Sequence, residues 1–387
     1  MGGESVRGVP LLDIHRREGA IFEELAAALR RVLESGMFVL GSEITRLEET
    51  LAAYSGAKYA VACASGSEAL LMALMACDIQ PGDEVIVPSF TFFATASAVA
   101  RLGAVPVFAD IREDTWNLDP EDAARKITPH TKAIIPVHLF GLTADMDALN
   151  GLAAEHSLKM IEDAAQSIGA EYFSAKTGKS TRVGALGHMA CFSFYPTKNL
   201  GACGDGGALT TDDAELAEKL RLIRSHGMQP RYFHQLIGIN GRLDAFQGAV
   251  LNVKFPYLDA WTAERQKNAS RYREFFAGAN LEERIQLPFF PETGRHVWNQ
   301  FSIRVKHGKR DDLRKFLSSQ NIGTEIYYPL GLHEQECFKY LEYRPGMLPV
   351  TDAVTRDILA LPVFPGMTED EQKYVVGKIQ EFVVCGL

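Results

Sequence analysis

Several function classes are excluded by what this sequence lacks. No stretch approaches the roughly 18 consecutive apolar residues that suggest a membrane span, so no contact with a bilayer is expected. No Lys/Arg run and no basic stripe interleaved with aromatics offsets a net charge of -9, which would repel a phosphate backbone. Nucleic acid is therefore not an expected partner. The six cysteines (Cys63, Cys77, Cys191, Cys203, Cys337, Cys385) form no C-x-x-C pair, and no histidine stands at zinc-ligand spacing. They read as reduced thiols of a cytoplasmic protein, with no metal expected. The N-terminal MGGESVRGVPLLDIHRREG carries charges throughout and has no uninterrupted apolar core, so it does not read as a secretory signal.

What is present suits a large soluble core. The 387 residues are 47% hydrophobic, enough for two domains or one large domain with an appendage. Residues 20–35 place Ile21, Leu25, Leu29 and Val32 at helical spacing with Gly36 as the C-terminal cap, and a second short helix spans about 43–54. Apolar runs then alternate with helical stretches: KYAVAC, SEALLMALMA, DEVIVP, FFATASAVARLG, AVPVFAD, KAIIPVHLF, a helix near 145–156, KMIED, HMACFSF and GGALTT. That alternation predicts a mostly parallel sheet of about seven strands covered by helices. AELAEKLRLIRSHG reads as a helix stopped at Gly227. A long helical pattern from Leu243 to about Ala279 should be interrupted at Pro256, which has no N–H and whose ring clashes with the preceding turn. Beyond it, NQFSIRV and TEIYY read as strands, with helices over 311–320, 351–360 and 368–383. The expectation is an α/β chain with a large domain, 1–250, and a smaller C-terminal α/β domain, 251–387, without internal repeats.

In an open α/β sheet, ligands bind beyond the carboxyl ends of the strands. Three polar segments follow apolar runs. Ala64-Ser65-Gly66-Ser67-Glu68 combines small residues with a helix start, where free N–H groups favour an anion; it also reads as an ordinary Ser N-cap. Ile161-Glu162-Asp163-Ala164-Ala165-Gln166 ends a strand in a carboxylate, which is either a turn residue or, if buried, a partner for a protonated ring nitrogen. Cys191-Phe192-Ser193-Phe194-Tyr195-Pro196-Thr197-Lys198-Asn199-Leu200-Gly201 sets a lysine among apolar and small residues, where desolvation would free its amine, unless it is a plain surface lysine. The glycines after it fit neither G-x-G-x-x-G nor the P-loop pattern. A phosphate cup, a carboxylate for a ring nitrogen and an amine for an aldehyde together match what pyridoxal 5'-phosphate requires.

These segments, with GDEVIVPSFTFFAT, TKAIIPVHLFG, GDGGALTT, GINGRLDAFQGAVL, IGTEIYYPLGLHEQ and LALPVFP, make the chain resemble the DegT/DnrJ/EryC1/StrS sugar aminotransferases over nearly its whole length. The resemblance implies the aspartate-aminotransferase-like fold type I. It implies that Lys198 holds pyridoxal phosphate as a Schiff base and shuttles the proton, and that Asp163 pairs with the pyridine nitrogen. It places Gln166 at the ring or its 3-hydroxyl, Phe92 over the opposite face, and Gly66, Ser67 and Ser193 at the phosphate. Asn240 matches an asparagine that reaches the neighbouring subunit's cofactor, implying a homodimer with shared sites; Arg242 lines the same entrance or holds a structural salt bridge. Relatives with histidine at the Lys198 position are dehydratases, so lysine favours transamination. Where many members read H-Y-P, this chain has Tyr327-Tyr328-Pro329: these tyrosines contact a sugar or diphosphate, or Tyr327 packs in the small domain. The implied reaction moves an amine from glutamate to a keto sugar on a nucleoside diphosphate, giving an amino sugar for a surface polysaccharide or secondary metabolite. A cyclitol-ketone or other keto-sugar aminotransferase, and a non-catalytic regulator that binds the cofactor, are the alternatives.

Overall fold

A computed structural model describes residues 8–384. The first helices follow the expected pattern. Helix Phe22–Ser35 buries Leu25, Ala28 and Val32, and Gly36 (φ +66°) ends it by donating its N–H to the Leu33 carbonyl. Helix Ser42–Ser55 follows, closed by Gly56.

The strands then come in order as β1 (Tyr59–Cys63), β2 (Glu84–Pro88), β3 (Val105–Ala109), β4 (Thr131–Ile134), β5 (Lys159–Asp163), the hairpin β6 (Glu171–Ser174) and β7 (Lys179–Arg182), β8 (Met189–Ser193) and β9 (Gly207–Thr211). Seven of them form one sheet in the order β1-β9-β8-β5-β4-β2-β3. Only β9 runs against its neighbours β1 and β8; the β8-β5-β4-β2-β3 pairings are all parallel. Helix Gly66–Ala76, apolar on all sides, is buried from Ala69 to Leu74 against this sheet. Because the parallel strands share a direction, Ser65, Phe92, Asp163 and Ser193, each at or just beyond a strand end, lie along one edge.

Pro256 interrupts the long helical pattern as expected: helix Ala245–Lys254 gives way to a single tight turn, Phe255–Tyr257, before helix Leu258–Ala279. Residue 250, the expected division of the chain, falls inside the first of these helices. A second, three-stranded sheet has the order β10 (Ile285–Gln286), β11 (Phe301–Val305), β12 (Ile358–Leu361). Its core joins Phe301, Ile303, Leu359 and Leu361 to Leu313, Leu317, Val375 and Ile379 from helices Arg310–Ser319 and Glu369–Val384.

Three expectations need correcting. TEIYY is not a strand: only Glu325 bridges to Ala360, because the tyrosine rings turn toward the large sheet's loops. The third strand is instead ILAL, read as the end of a helix over 351–360. Helix Pro349–Asp357 stops before it, and the four strand residues are all buried; so short an apolar run carries no decisive period. The helix expected to stop at Gly227 ends at Arg224. Gly227 (φ +67°) serves the next loop, where a Cβ would stand 1.9 Å from the Leu236 carbonyl oxygen. Every described cysteine is free, Cys385 lying outside the described residues. Among the described residues no helix is long and apolar enough to cross a membrane.

Candidate active site

At the start of helix Gly66–Ala76 the two readings of Ser65 coexist. Its hydroxyl oxygen caps the helix by accepting the Glu68 N–H at 3.1 Å. The N–H groups of Gly66 and Ser67 have no hydrogen-bond partner among the described residues, so they point free donors at the strand edge. The cradle tolerates no added bulk. A Cβ on Gly66 would lie 2.7 Å from the Ser193 Cβ, and one on Gly207 2.4 Å from the Ser65 carbonyl carbon. Ser193, at the end of β8, thus brings its hydroxyl to the free N–H groups. This donor set suits a phosphate dianion.

Asp163 ends β5 and is buried. The Thr95 hydroxyl donates to its carboxylate at 2.7 Å and the Ala165 N–H at 3.2 Å. Burial raises its pKa, opposed by those hydrogen bonds, by Lys198 and by His138. A carboxylate so poised welcomes a cationic partner.

Behind it lies a device that sequence reasoning missed. Glu162, on the opposite face of β5 and fully buried, accepts N–H groups from Leu186 and Gly187, each at 2.8 Å, and from Gly184 at 3.1 Å. His138 Nδ1 accepts the Ala144 N–H at 3.1 Å, so Nε2 carries the hydrogen and donates to Glu162 at 3.0 Å. The His138 backbone N–H also donates to the Asp163 carbonyl at 3.0 Å. The available signal was the pair of adjacent carboxylates ending one buried strand, which must face opposite sides.

Lys198 lies in the irregular segment after β8, its backbone N–H donating to the Tyr195 carbonyl at 2.8 Å. Desolvation lowers its pKa to about 8, against the opposing pull of Asp163. It is not a plain surface lysine.

Gln166 accepts the Phe140 N–H at 2.7 Å and donates to the Tyr328 hydroxyl at 3.2 Å. The Tyr328 ring packs against Phe90 (5.9 Å between centroids) and Phe92 (6.3 Å), and burial holds its hydroxyl protonated, well above the usual tyrosine range. Phe92 remains 58% exposed, so it offers an open aromatic face. Tyr327 touches the Tyr328 ring at 5.9 Å, and its hydroxyl makes no hydrogen bond among the described residues.

The segment with Asn240 and Arg242 abuts the cup: the Gly241 carbonyl accepts the Ala64 N–H at 2.9 Å, and Asn240 bridges to Ser225. Neither side chain makes a hydrogen bond or ion pair among the described residues, so Arg242 has no structural salt bridge there. One group of metal-ligand types, His333, Glu334 and Asp352, is gathered among the described residues. His333 stands 2.7 Å from the Ser89 hydroxyl and 3.1 Å from Asp352, linking the Phe92 loop to helix Pro349–Asp357. A cleft of about 720 Å³ lies elsewhere, beside β6 and β7.

Residues 20–380 match the DegT/DnrJ/EryC1/StrS aminotransferase family. The chain is 48% identical to a pleiotropic regulatory protein of Geobacillus stearothermophilus, covering 97% of this chain and 98% of that one. It is 41% identical to a UDP-N-acetyl-3-dehydro-alpha-D-glucosamine 3-aminotransferase of Acidithiobacillus ferrooxidans, over 94% and 95%. The crystal structure of S. venezuelae DesV superposes with a TM-score of 0.92 at 40% identity, covering 97% of this chain and 99% of that one. The chain belongs to the DegT/DnrJ/EryC1/StrS family and is a pyridoxal-phosphate-dependent aminotransferase.

Proposed function

We propose that the protein transfers the amine of L-glutamate to a keto sugar carried on a nucleoside diphosphate, with Lys198 as the reacting amine. The observation that carries this reading is a desolvated lysine opposed to a buried aspartate beside a cup of free N–H groups. Bound pyridoxal phosphate supplies an aldehyde to take up the amine and a protonated ring to withdraw electrons from the reacting carbon.

The residues divide the remaining tasks. The Gly66 and Ser67 N–H groups and the Ser193 hydroxyl bind the phosphate. Asp163, held by Thr95 and backed by the Glu162–His138 pair, keeps the proton on the ring nitrogen. Phe92 and Gln166 fix the ring plane, Gln166 being oriented by Phe140 and Tyr328. Lys198, once released by the incoming amine, would act as base toward the donor carbon and as acid toward the cofactor carbon, and would carry a proton in the reverse direction, from the cofactor carbon to the acceptor carbon, in the second half-reaction. Arg242, Tyr327 and Tyr328 line the acceptor side.

The active unit in this reading is a homodimer in which Asn240 of each chain completes the other's cup. Its side chain makes no hydrogen bond or ion pair among the described residues, which leaves it available to a partner chain. The acceptor is inferred from the Acidithiobacillus relative, whose name specifies a UDP-linked 3-keto sugar.

A panel of nucleoside-diphosphate keto sugars and a keto-inositol, each with L-glutamate, tests this by product mass. An amino sugar nucleotide supports the proposal; turnover of the keto-inositol alone contradicts it. The Geobacillus relative's name favours a regulatory alternative, which a cofactor-loaded protein inert toward every ketone would support.

A further inference from the structure

The charged residues near the N-terminus reach the Lys198 segment from behind. Arg17 is 4% exposed and Lys254 1%. Arg17 donates from Nη1 to the Lys198 carbonyl at 2.9 Å and from Nη2 to the Pro196 carbonyl at 3.2 Å. Lys254 Nζ donates to the Gly201 carbonyl at 2.8 Å. Glu18 lies between the two cations, accepting from Lys254 at 2.7 Å and from Arg17. The Arg17 guanidinium also covers the Trp261 ring at 5.3 Å.

These contacts close on a segment that has neither helix nor strand to hold it. It folds back so tightly that a Cβ on Gly201 would lie 2.4 Å from the Pro196 carbonyl oxygen. Burying an Arg–Glu–Lys group gains no stability over well-packed apolar side chains. What it provides is direction, since a planar guanidinium fixes two carbonyls in one geometry.

We propose that Arg17, braced by Glu18 and assisted by Lys254, is the positioning residue for Lys198: it fixes the lysine's own carbonyl, and with it the direction in which the side chain leaves the segment. The proposal rests on Lys198 being the reacting amine. Arg16, adjacent in the chain, makes a separate pair with Glu371 at 2.8 Å on helix Glu369–Val384, which provides a control from the same short helix, Ile14–Glu18.

The test titrates Lys198 in the cofactor-free full chain by competitive acetylation with acetic anhydride, read by peptide mass spectrometry. The wild-type midpoint is expected near about 8. Arg17→Lys keeps the positive charge but loses the paired donors, so a shift there does not come from lost repulsion. The midpoint should move up by about one unit toward the ordinary lysine value, while Arg16→Ala leaves it unmoved. An unchanged midpoint in Arg17→Lys, with only a lower unfolding temperature, overturns the proposal. If that variant does not fold, Glu18→Gln takes its place: it loosens the brace on Arg17 while removing a negative charge, which by itself would lower the midpoint, so the same upward shift is expected and its absence contradicts the proposal. The visible band of the wild type with pyridoxal phosphate reports separately on Lys198: its absence overturns that reading, while the labelling still decides whether Arg17 positions the lysine.

Discussion

Lys198 shows how burial decides a residue's chemistry. Its amine is free above a pKa lowered to about 8, so covalent uptake of pyridoxal phosphate by the cofactor-free protein should accelerate up to that pH and then level off. An ordinary lysine would go on accelerating to roughly pH 10.4; stopped-flow absorbance across the pH range distinguishes the two. Asp163→Asn keeps an oxygen for the Thr95 hydroxyl but removes the charge facing the ring nitrogen. It should lower kcat by about 10²–10³-fold while the cofactor still binds, measured by steady-state kinetics on the loaded variant. Asp163 and Lys198 stood out in the sequence as polar residues after apolar runs, and Gln166 through the family resemblance. Glu162, Arg17 and the packing of Tyr328 on Phe92 did not. Their partners are distant carbonyls, N–H groups and rings, and nothing local to each residue encodes which of these it will meet.

At the level of elements, the parallel strands and the interrupting Pro256 were readable because period, length and breakers agreed. TEIYY and ILAL were misassigned because runs of four or five residues carry no decisive period, and tertiary contacts decided: Ile358–Leu361 pairs with Phe301–Arg304, whereas Tyr328 is drawn onto Phe90 and Phe92. The contacts between elements around the cup carry two predictions. Gly66→Ala forces a methyl onto Ser193, so it should cost about 1–3 kcal/mol of stability and weaken cofactor binding, seen by urea unfolding and by titration with pyridoxal phosphate. Glu162→Gln turns an amide N–H₂ toward donors that need an acceptor, and should cost about 3–5 kcal/mol by the same unfolding measurement.

For the whole molecule, the homodimer proposal makes a quantitative prediction. In a mixed dimer of Lys198→Ala and Asn240→Ala chains, one site combines both defects and the other has neither. Random reassortment of the two inactive variants should therefore restore about a quarter of wild-type activity, whereas a site complete within one chain would regain none. In the proposed reaction Lys198 anchors the cofactor and performs the first half of the transfer. The most direct test is the visible spectrum of the protein with pyridoxal phosphate before and after L-glutamate, for the wild type and Lys198→Ala. The expected result is a lysine-linked band in the wild type that glutamate removes, and no such band in the variant. A wild type without that band, or a Lys198→Ala protein that keeps it, would rule out Lys198 as the reacting amine.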